Sequence, residues 1–200
     1  MKKIFLLIAM LSISVGLTFA QSNNRPSGQT TQIELIHGGT SVELSSGFIG
    51  ALTALNIAPG KVFPARIRNG IATFPITDGT LDRQTLRGEI AHNGGLTLTR
   101  GATKVKLKGF TIDTTGTGGI ILTGLVSANG AVVGRIPLFD LTLPTSSSIF
   151  LDIERVDLDN VSVTLRPEAA TALNAVFETN AFVAGFGIGT ARVRGFGYGD

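Results

Sequence analysis

The sequence contains no cysteine and no tryptophan, and its 200 residues include only two histidines and one tyrosine. The absence of cysteine excludes a disulfide framework, a lipid anchor on an N-terminal cysteine and every thiolate metal site. The two histidines, His37 and His92, do not have the spacing of a helical zinc motif, so zinc would need both of them plus carboxylates from distant loops. With so few catalytic side chains, we predict a protein that is not an enzyme.

The N-terminus has the pattern of a secretory signal peptide. Two lysines precede an apolar run over residues 4–20, and a polar stretch follows. The run is shorter than the roughly 20 residues that a membrane-spanning helix needs, and no second run of its length follows. We predict a signal peptide over residues 1–20, cleaved near Ala20, a flexible leader over 21–30 and one domain over 31–200. The mature protein would then be secreted or held in the cell envelope, without a transmembrane span.

The charge balance argues against nucleic-acid binding. Seventeen basic residues face 14 acidic ones, and removal of the two N-terminal lysines leaves an excess of one. Nucleic-acid binding needs basic residues clustered on one face. The dense cluster of Lys104, Lys106 and Lys108 alternates with Val105 and Leu107. This alternation is typical of the solvent-exposed side of a strand, and the alternative is a site for an anionic partner.

Glycine is abundant, with 26 residues, and short segments rich in valine, isoleucine, threonine and leucine lie between turn residues. This profile predicts an all-β domain. Eight or more strands need two sheets or a closed barrel, so we expect a two-sheet sandwich or a barrel-like antiparallel domain with two short flanking helices. The patterns predict helices over 46–56 and 167–177, and strands over 62–68, 71–76, 86–92, 96–100, 103–113, 120–127, 132–143 and 149–155.

One internal similarity joins the two ends of the domain. The strings SVEL and TALN at residues 41–44 and 53–56 recur as SVTL and TALN at 162–165 and 171–174. Each copy reads as a strand that leads into a short helix. We interpret the copies as a pair of strand–helix units beside the sheet core; the alternative is chance similarity between common residues.

The glycine-rich tail alternates apolar and polar residues over 187–194, which predicts a closing strand. The last six residues are expected to fray. Gly185, Gly187 and Gly189 are not followed by a helix, so they do not form a phosphate-binding loop.

The carboxylates are most concentrated at Asp152, Glu154, Asp157 and Asp159. Period-two spacing puts the members of each pair on one face of a strand. Such pairs could bind calcium, although the segment lacks the glycine and the run of oxygen ligands of an EF-hand. The other interpretation is the solvated face of a half-buried strand.

Six segments carry a resemblance to a known family. They are FPITDG at 74–79, GEIAHNGGL at 88–96, VKLKGFTID at 105–113, PLFDL at 137–141, RPEAATALN at 166–174 and GIGTA at 187–191. In this order they resemble secreted bacterial proteins related to the HtaA-type haem-transport domain, over residues 62–193. The resemblance implies an all-β domain that binds haem at the cell envelope through a tyrosine ligand assisted by a histidine.

His92 stands at the histidine of the Gly-x-x-x-His-x-Gly-x-Leu pattern, so the resemblance implies that it is the cofactor-binding residue and that haem is the cofactor. The tyrosine has no counterpart: the family's Ser-Phe-x-x-Tyr pattern meets GFIGA at 47–51, and Tyr198 lies two residues from the end. The glycine turn after His92 predicts that this histidine is exposed at a strand end. The alternative is a buried, hydrogen-bonded core residue.

The sequence therefore predicts an exported, noncatalytic module of the cell envelope that resembles haem-binding and haem-uptake domains. Its expected partner is haem or a protein of the cell surface, and no nucleic acid. The alternative is a structural or adhesive extracellular β domain with no small-molecule ligand.

Overall fold

The computed structural model describes residues 32–144, 149–152 and 154–199. The predicted signal peptide and leader lie outside the described residues. Within them the elements are β1 (Gln32–Leu44), α1 (Ser46–Ala54), β2 (Ala58–Val62), β3 (Arg66–Arg68), β4 (Ile71–Asp82), β5 (Gly88–His92), β6 (Gly95–Arg100), β7 (Thr103–Asp113), β8 (Ile120–Ala128), β9 (Ala131–Thr142), β10 (Ile149–Leu151), β11 (Arg155–Leu165), α2 (Pro167–Phe177) and β12 (Gly187–Gly199). Neither helix of this part of the chain has the length and hydrophobicity needed to cross a membrane.

Eight of the strands form a closed antiparallel barrel, in the order β7, β5, β4, β1, β12, β11, β9, β8 and back to β7. Four short strands extend it: β6 pairs with β7 and carries β2, β3 pairs with β4, and β10 pairs with β11. The all-β prediction is confirmed, and of its two forms the barrel is the one adopted. Closure removes the exposed edges that an open sheet of this size would leave.

The barrel wall follows the period of two that the sequence shows. In β4, for example, Ala72, Phe74 and Ile76 are buried while their neighbours are not. Leu35 of β1 is directly paired with a glycine on each side, Gly79 in β4 and Gly197 in β12. Because glycine has no side chain, the strands approach closely there and the large leucine fills the space inside.

Both predicted helices form, each directly after a long strand. α1 begins behind Ser45, whose Oγ accepts a hydrogen bond from the Phe48 amide (3.0 Å) and donates to the Gly187 carbonyl (2.7 Å). α2 begins at Pro167, a residue suited to a first helical turn, and buries Ala169, Ala170, Leu173 and Phe177. The internal similarity thus corresponds to two strand–helix units, β1–α1 and β11–α2.

The predicted fraying of the last residues is wrong for those that the structure describes. β12 continues to Gly199 and pairs with β1 along one edge and with β11 along the other. Gly195 and Gly197 allow this, because a Cβ at Gly197 would lie 1.7 Å from the Glu34 carbonyl oxygen. The glycines of the tail therefore permit close strand packing.

Candidate functional site

His92 is the last residue of β5, and its predicted exposure is wrong: it is 5% exposed. Its side chain points into the barrel because it follows Ile90 with the period of two, and both residues are buried. The glycine turn after it folds back onto the barrel wall, since a Cβ at Gly95 would lie 2.0 Å from the Leu107 carbonyl oxygen. The alternative interpretation, a buried hydrogen-bonded histidine, is the one confirmed.

The polar contacts of His92 are internal. Its Nε2 is hydrogen-bonded to Thr40 Oγ1 at 2.7 Å, and both residues are buried. Nδ1 has no hydrogen-bond partner of ordinary geometry. Burial lowers the pKa of His92 to about 4, against the weaker opposing effect of the backbone at Phe110 and Ile90. The imidazole is therefore neutral at neutral pH.

The space beside His92 is a small apolar cavity of about 60 Å³ inside the barrel. Thr40 and His92 contribute the polar side chains of a lining that is otherwise made of valine, leucine, isoleucine, alanine and phenylalanine. Pockets that bind drug-sized ligands have volumes of about 300–1,000 Å³. The cavity can hold a few water-sized molecules and no porphyrin.

The interior around His92 therefore does not fit a haem. Nε2 is already engaged by Thr40. Ala51 of α1, where the resemblance would place the tyrosine, has a methyl group that cannot bind iron. The assignment of His92 as a cofactor-binding residue stays a prediction, and the contacts of this histidine are those of a core residue.

The lysines named from the sequence lie on the outer wall, whereas of the four carboxylates Asp152 and Glu154 are exposed, Asp159 is half-buried and Asp157 is buried, which contradicts a solvated face at Asp157. Lys104, Lys106 and Lys108 are exposed on β7, as the alternation predicted. Asp157 and Asp159 project from β11 towards arginines of β12. Among the described residues, no group of three or more histidine and carboxylate side chains could hold a metal ion.

These carboxylates form a ladder of ion pairs across β11 and β12. Asp157 pairs with Arg155 and Arg194, and Asp159 pairs with Arg194 (2.9 Å) and Arg192 (2.5 Å). The hydrogen bond from Arg194, followed by that from Arg192, lowers the pKa of Asp159. The ladder ties two neighbouring strands together on their outer side.

Next to this ladder lies a cluster that we call the outer aromatic face, made of Ile36, His37, Arg155, Phe196 and Tyr198. The His37 and Phe196 rings are stacked, with centroids 5.2 Å apart and planes 17° from parallel. The Arg155 guanidinium carbon lies 5.8 Å from the Phe196 ring centroid. Tyr198 is 64% exposed, and Ile36 and Phe196 are also exposed.

A β-bulge in β1 and the alternation of β12 create this face. The pairing with β12 shifts register between Leu35 and His37, so Ile36 and His37 both lie on the outside. In β12 the outward positions are Arg192, Arg194, Phe196 and Tyr198, and the inward ones are Val193, Gly195 and Gly197. Bulges often re-aim a side chain in this way.

The outer aromatic face borders a groove of about 390 Å³, which Asp152 and Glu154 also line. Its volume is within the range of small-molecule sites. Sequence patterns did not identify this site, because Tyr198 belongs to the last six residues, which were expected to fray. The available signal was the alternation in RVRGFGYG, which puts two arginines and two aromatic residues on one strand face.

No protein-family model matches the sequence, and no curated protein is significantly similar to it. Solved structures share its fold. The C-terminal domain of HtaA from Corynebacterium glutamicum aligns with a TM-score of 0.66 at 14% identity, covering 82% of this chain and 98% of that one. The N-terminal domain of HtaA gives 0.57 at 12% identity, covering 81% and 97%. The heme binding protein HtaB of the same organism gives 0.51 at 8% identity, covering 82% and 95%. At these identities the likeness is one of fold, and the chain has the fold of the HtaA and HtaB domains.

Proposed function

We propose that this chain is an exported, noncatalytic module of the bacterial cell envelope that binds haem. The observation that carries the proposal is the fold, which covers 98% of the HtaA C-terminal domain at a TM-score of 0.66. A second protein with this fold, HtaB, is a heme binding protein. Fold alone does not determine function, so the proposal needs a direct binding test.

The buried histidine is not placed for acid–base catalysis. His92 is buried and hydrogen-bonded to Thr40, and its lowered pKa leaves it neutral. His37 is stacked on Phe196 at the surface. A general base has to reach a substrate proton from an exposed and oriented position. The burial of His92 and the stacking of His37 within an exposed aromatic cluster favour a binding role.

The sequence supports export, through the two lysines and the apolar run that precede Gln21. Mature protein recovered from the exporting cell should begin at or within a few residues of Gln21. Intact-mass measurement of the purified protein tests this. Protein that keeps Met1 and stays in the membrane would overturn the proposed localisation.

Haem binding is tested by titrating the mature protein with ferric haem and following its absorption in the visible and near-ultraviolet range. We expect a saturable band at micromolar haem with one haem per chain, because axial ligation changes the haem spectrum. Iron-free protoporphyrin is the control for nonspecific adsorption, since it stacks on apolar surface without an axial bond.

A structural or adhesive domain is the second candidate, and the small size of the cavity in the barrel interior favours it. The cavity at His92 is about 60 Å³, so this part of the barrel is filled mainly by its own side chains. A wild-type protein that gives no haem band would support this candidate and overturn the haem proposal.

A further inference from the structure

We infer that the haem of the proposed function is held on the outer aromatic face, with Tyr198 as the side chain that bonds the iron. This inference rests on the proposed function. It assigns the ligand to the outside of β1 and β12, and it leaves His92 as a structural residue of the barrel interior.

Few side chains of this sequence can serve as an axial donor to haem iron. The side chains that commonly bond haem iron in proteins are histidine, cysteine, methionine and tyrosine. The chain has no cysteine, and its two methionines, Met1 and Met10, lie in the predicted signal peptide. The remaining donors are His37, His92 and Tyr198. His92 is buried with its Nε2 engaged, whereas His37 and Tyr198 line the same groove.

The Tyr198 side chain is accessible to a ligand from solvent. Tyr198 is 64% exposed, so a planar ligand can approach its phenol from solvent. The His37 ring is held nearly parallel to Phe196 by stacking. Tyr198 is therefore the donor with the greater freedom to reach an iron atom, and His37 and Phe196 form an aromatic surface beside it.

The exposed hydrophobic side chains around the groove also support this assignment. Ile36, Phe196 and Tyr198 are three large hydrophobic side chains that are exposed together around one groove. Single exposed hydrophobic residues are ordinary, whereas a contiguous patch beside polar groups marks a binding surface. The groove of about 390 Å³ accommodates part of a porphyrin and leaves the rest in solvent.

The charged side chains that line the groove determine how a bound haem would be oriented. Arg155 lines the groove, with its guanidinium over Phe196 and paired with Asp157, and Asp152 and Glu154 line the groove as well. Guanidinium groups bind carboxylates well, and carboxylates repel each other. A propionate of the haem would therefore be directed to the Arg155 guanidinium rather than to the carboxylates of Asp152 and Glu154.

The strands that carry the site are rigid. β12 is paired with β1 as far as Gly199 and with β11 as far as Phe196, and the ion pairs of Asp159 with Arg192 and Arg194 join it to β11 on the same outer side. A binding group on a strand is held more precisely than one on a loop. Tyr198 is positioned by its backbone pairing with Glu34 of β1.

The test is a haem titration of the wild type, Tyr198→Phe, His37→Ala and the control Phe63→Ala. Tyr198→Phe keeps the ring and removes the donor oxygen, so we expect at least a tenfold loss of haem affinity and a changed absorption band. His37→Ala should weaken binding severalfold through the lost stacking surface. Phe63 is 89% exposed and does not line this groove, so its variant should bind within twofold of the wild type.

The outcomes separate the two proposals. A wild type without a haem band overturns the proposed function and this inference with it. A wild type that binds, together with a Tyr198→Phe variant of equal affinity and identical spectrum, overturns this inference alone and leaves the haem function standing. Circular dichroism of each variant confirms that the fold is intact, because these residues lie outside the core.

Discussion

The inner and outer sides of the same strands, β1 and β12, have opposite characters. On the inside, Leu35, Thr40 and Val193 are buried in an apolar interior that closes around His92. On the outside, the neighbouring residues Ile36, His37 and Tyr198 are exposed beside a groove. The strands thus provide a packed core on one side and an accessible surface on the other.

This difference assigns different roles to the two histidines. His92 contributes a neutral imidazole and one internal hydrogen bond to the core. His37 reaches the surface because the bulge at Ile36 reverses the alternation of β1. The histidine that lies in the family-like pattern is the inaccessible one, and the histidine outside that pattern is accessible.

The largest effect should come from the adjacent pair Leu35 and Ile36. Leu35 is 0% exposed between two glycines that cannot fill its space, so Leu35→Ala should cost about 2–5 kcal/mol of unfolding free energy. Ile36 is 44% exposed, and Ile36→Ala should cost less than about 1 kcal/mol. Urea denaturation measures both. Equal losses would contradict the assignment of inner and outer sides.

His92 should make the fold sensitive to acid. Its pKa is about 4 in the folded protein and about 6.5 in the unfolded chain, so the unfolded state takes up the proton first as the pH falls. Its contribution is fully present above pH 6.5, and about 3 kcal/mol is lost by pH 4. Urea denaturation between pH 7 and 4 should show this loss in the wild type and a smaller one in His92→Gln.

The matched control for the acid effect is His37→Gln, which removes the exposed histidine and should leave the pH dependence of the wild type in place. A His92→Gln variant with an unchanged pH dependence would show that His92 is accessible to protons in the folded state. That result would contradict the difference between a buried His92 and an exposed His37.

Two glycines of β12 should differ in how well they tolerate substitution by alanine. A Cβ at Gly197 would lie 1.7 Å from the Glu34 carbonyl oxygen, so Gly197→Ala should cost about 1–3 kcal/mol by forcing the strands apart. A Cβ at Gly187 would meet nothing within 4 Å, and Gly187→Ala should be close to neutral. Thermal unfolding measures the two variants, and similar midpoints would argue against close pairing at the end of β12.

The smallest effect should be that of Tyr198→Phe on stability. The phenol is exposed, so removal of its hydroxyl should change the unfolding free energy by no more than about 0.5 kcal/mol. Chemical denaturation without haem measures this. A clear loss would mean that the hydroxyl has a structural role in the apo protein.

The sequence predicted the fold class, both helices and most strands, because alternation, turn residues and a helix cap are local signals. Its strand over 149–155 is two strands in the structure, with β11 continuing to Leu165. The exposure of His92 could not be read from its glycine turn, because Gly95 is needed for contact with Leu107 across the sheet. Such long-range contacts leave no local signal.

The outer aromatic face depends on two features of pairing that sequence patterns do not contain. One is the bulge that turns His37 outward, and the other is the pairing of the end of β12 with β1, which positions Tyr198 opposite Glu34. The alternation of residues in β12 is visible in the sequence. It indicates a set of side chains on one strand face only if the tail forms a strand. Sequence reasoning therefore found the histidine of the family pattern and not the outer site.

The most direct test of the account compares haem binding by His92→Gln with haem binding by the double variant His37→Ala/Tyr198→Phe, using absorption titration at neutral pH, where both variants are expected to be folded. We expect His92→Gln to keep the haem band and an affinity within about threefold of the wild type, and the double variant to lose the band. Loss of the band in His92→Gln, with the double variant binding normally, would contradict it and place the ligand inside the barrel.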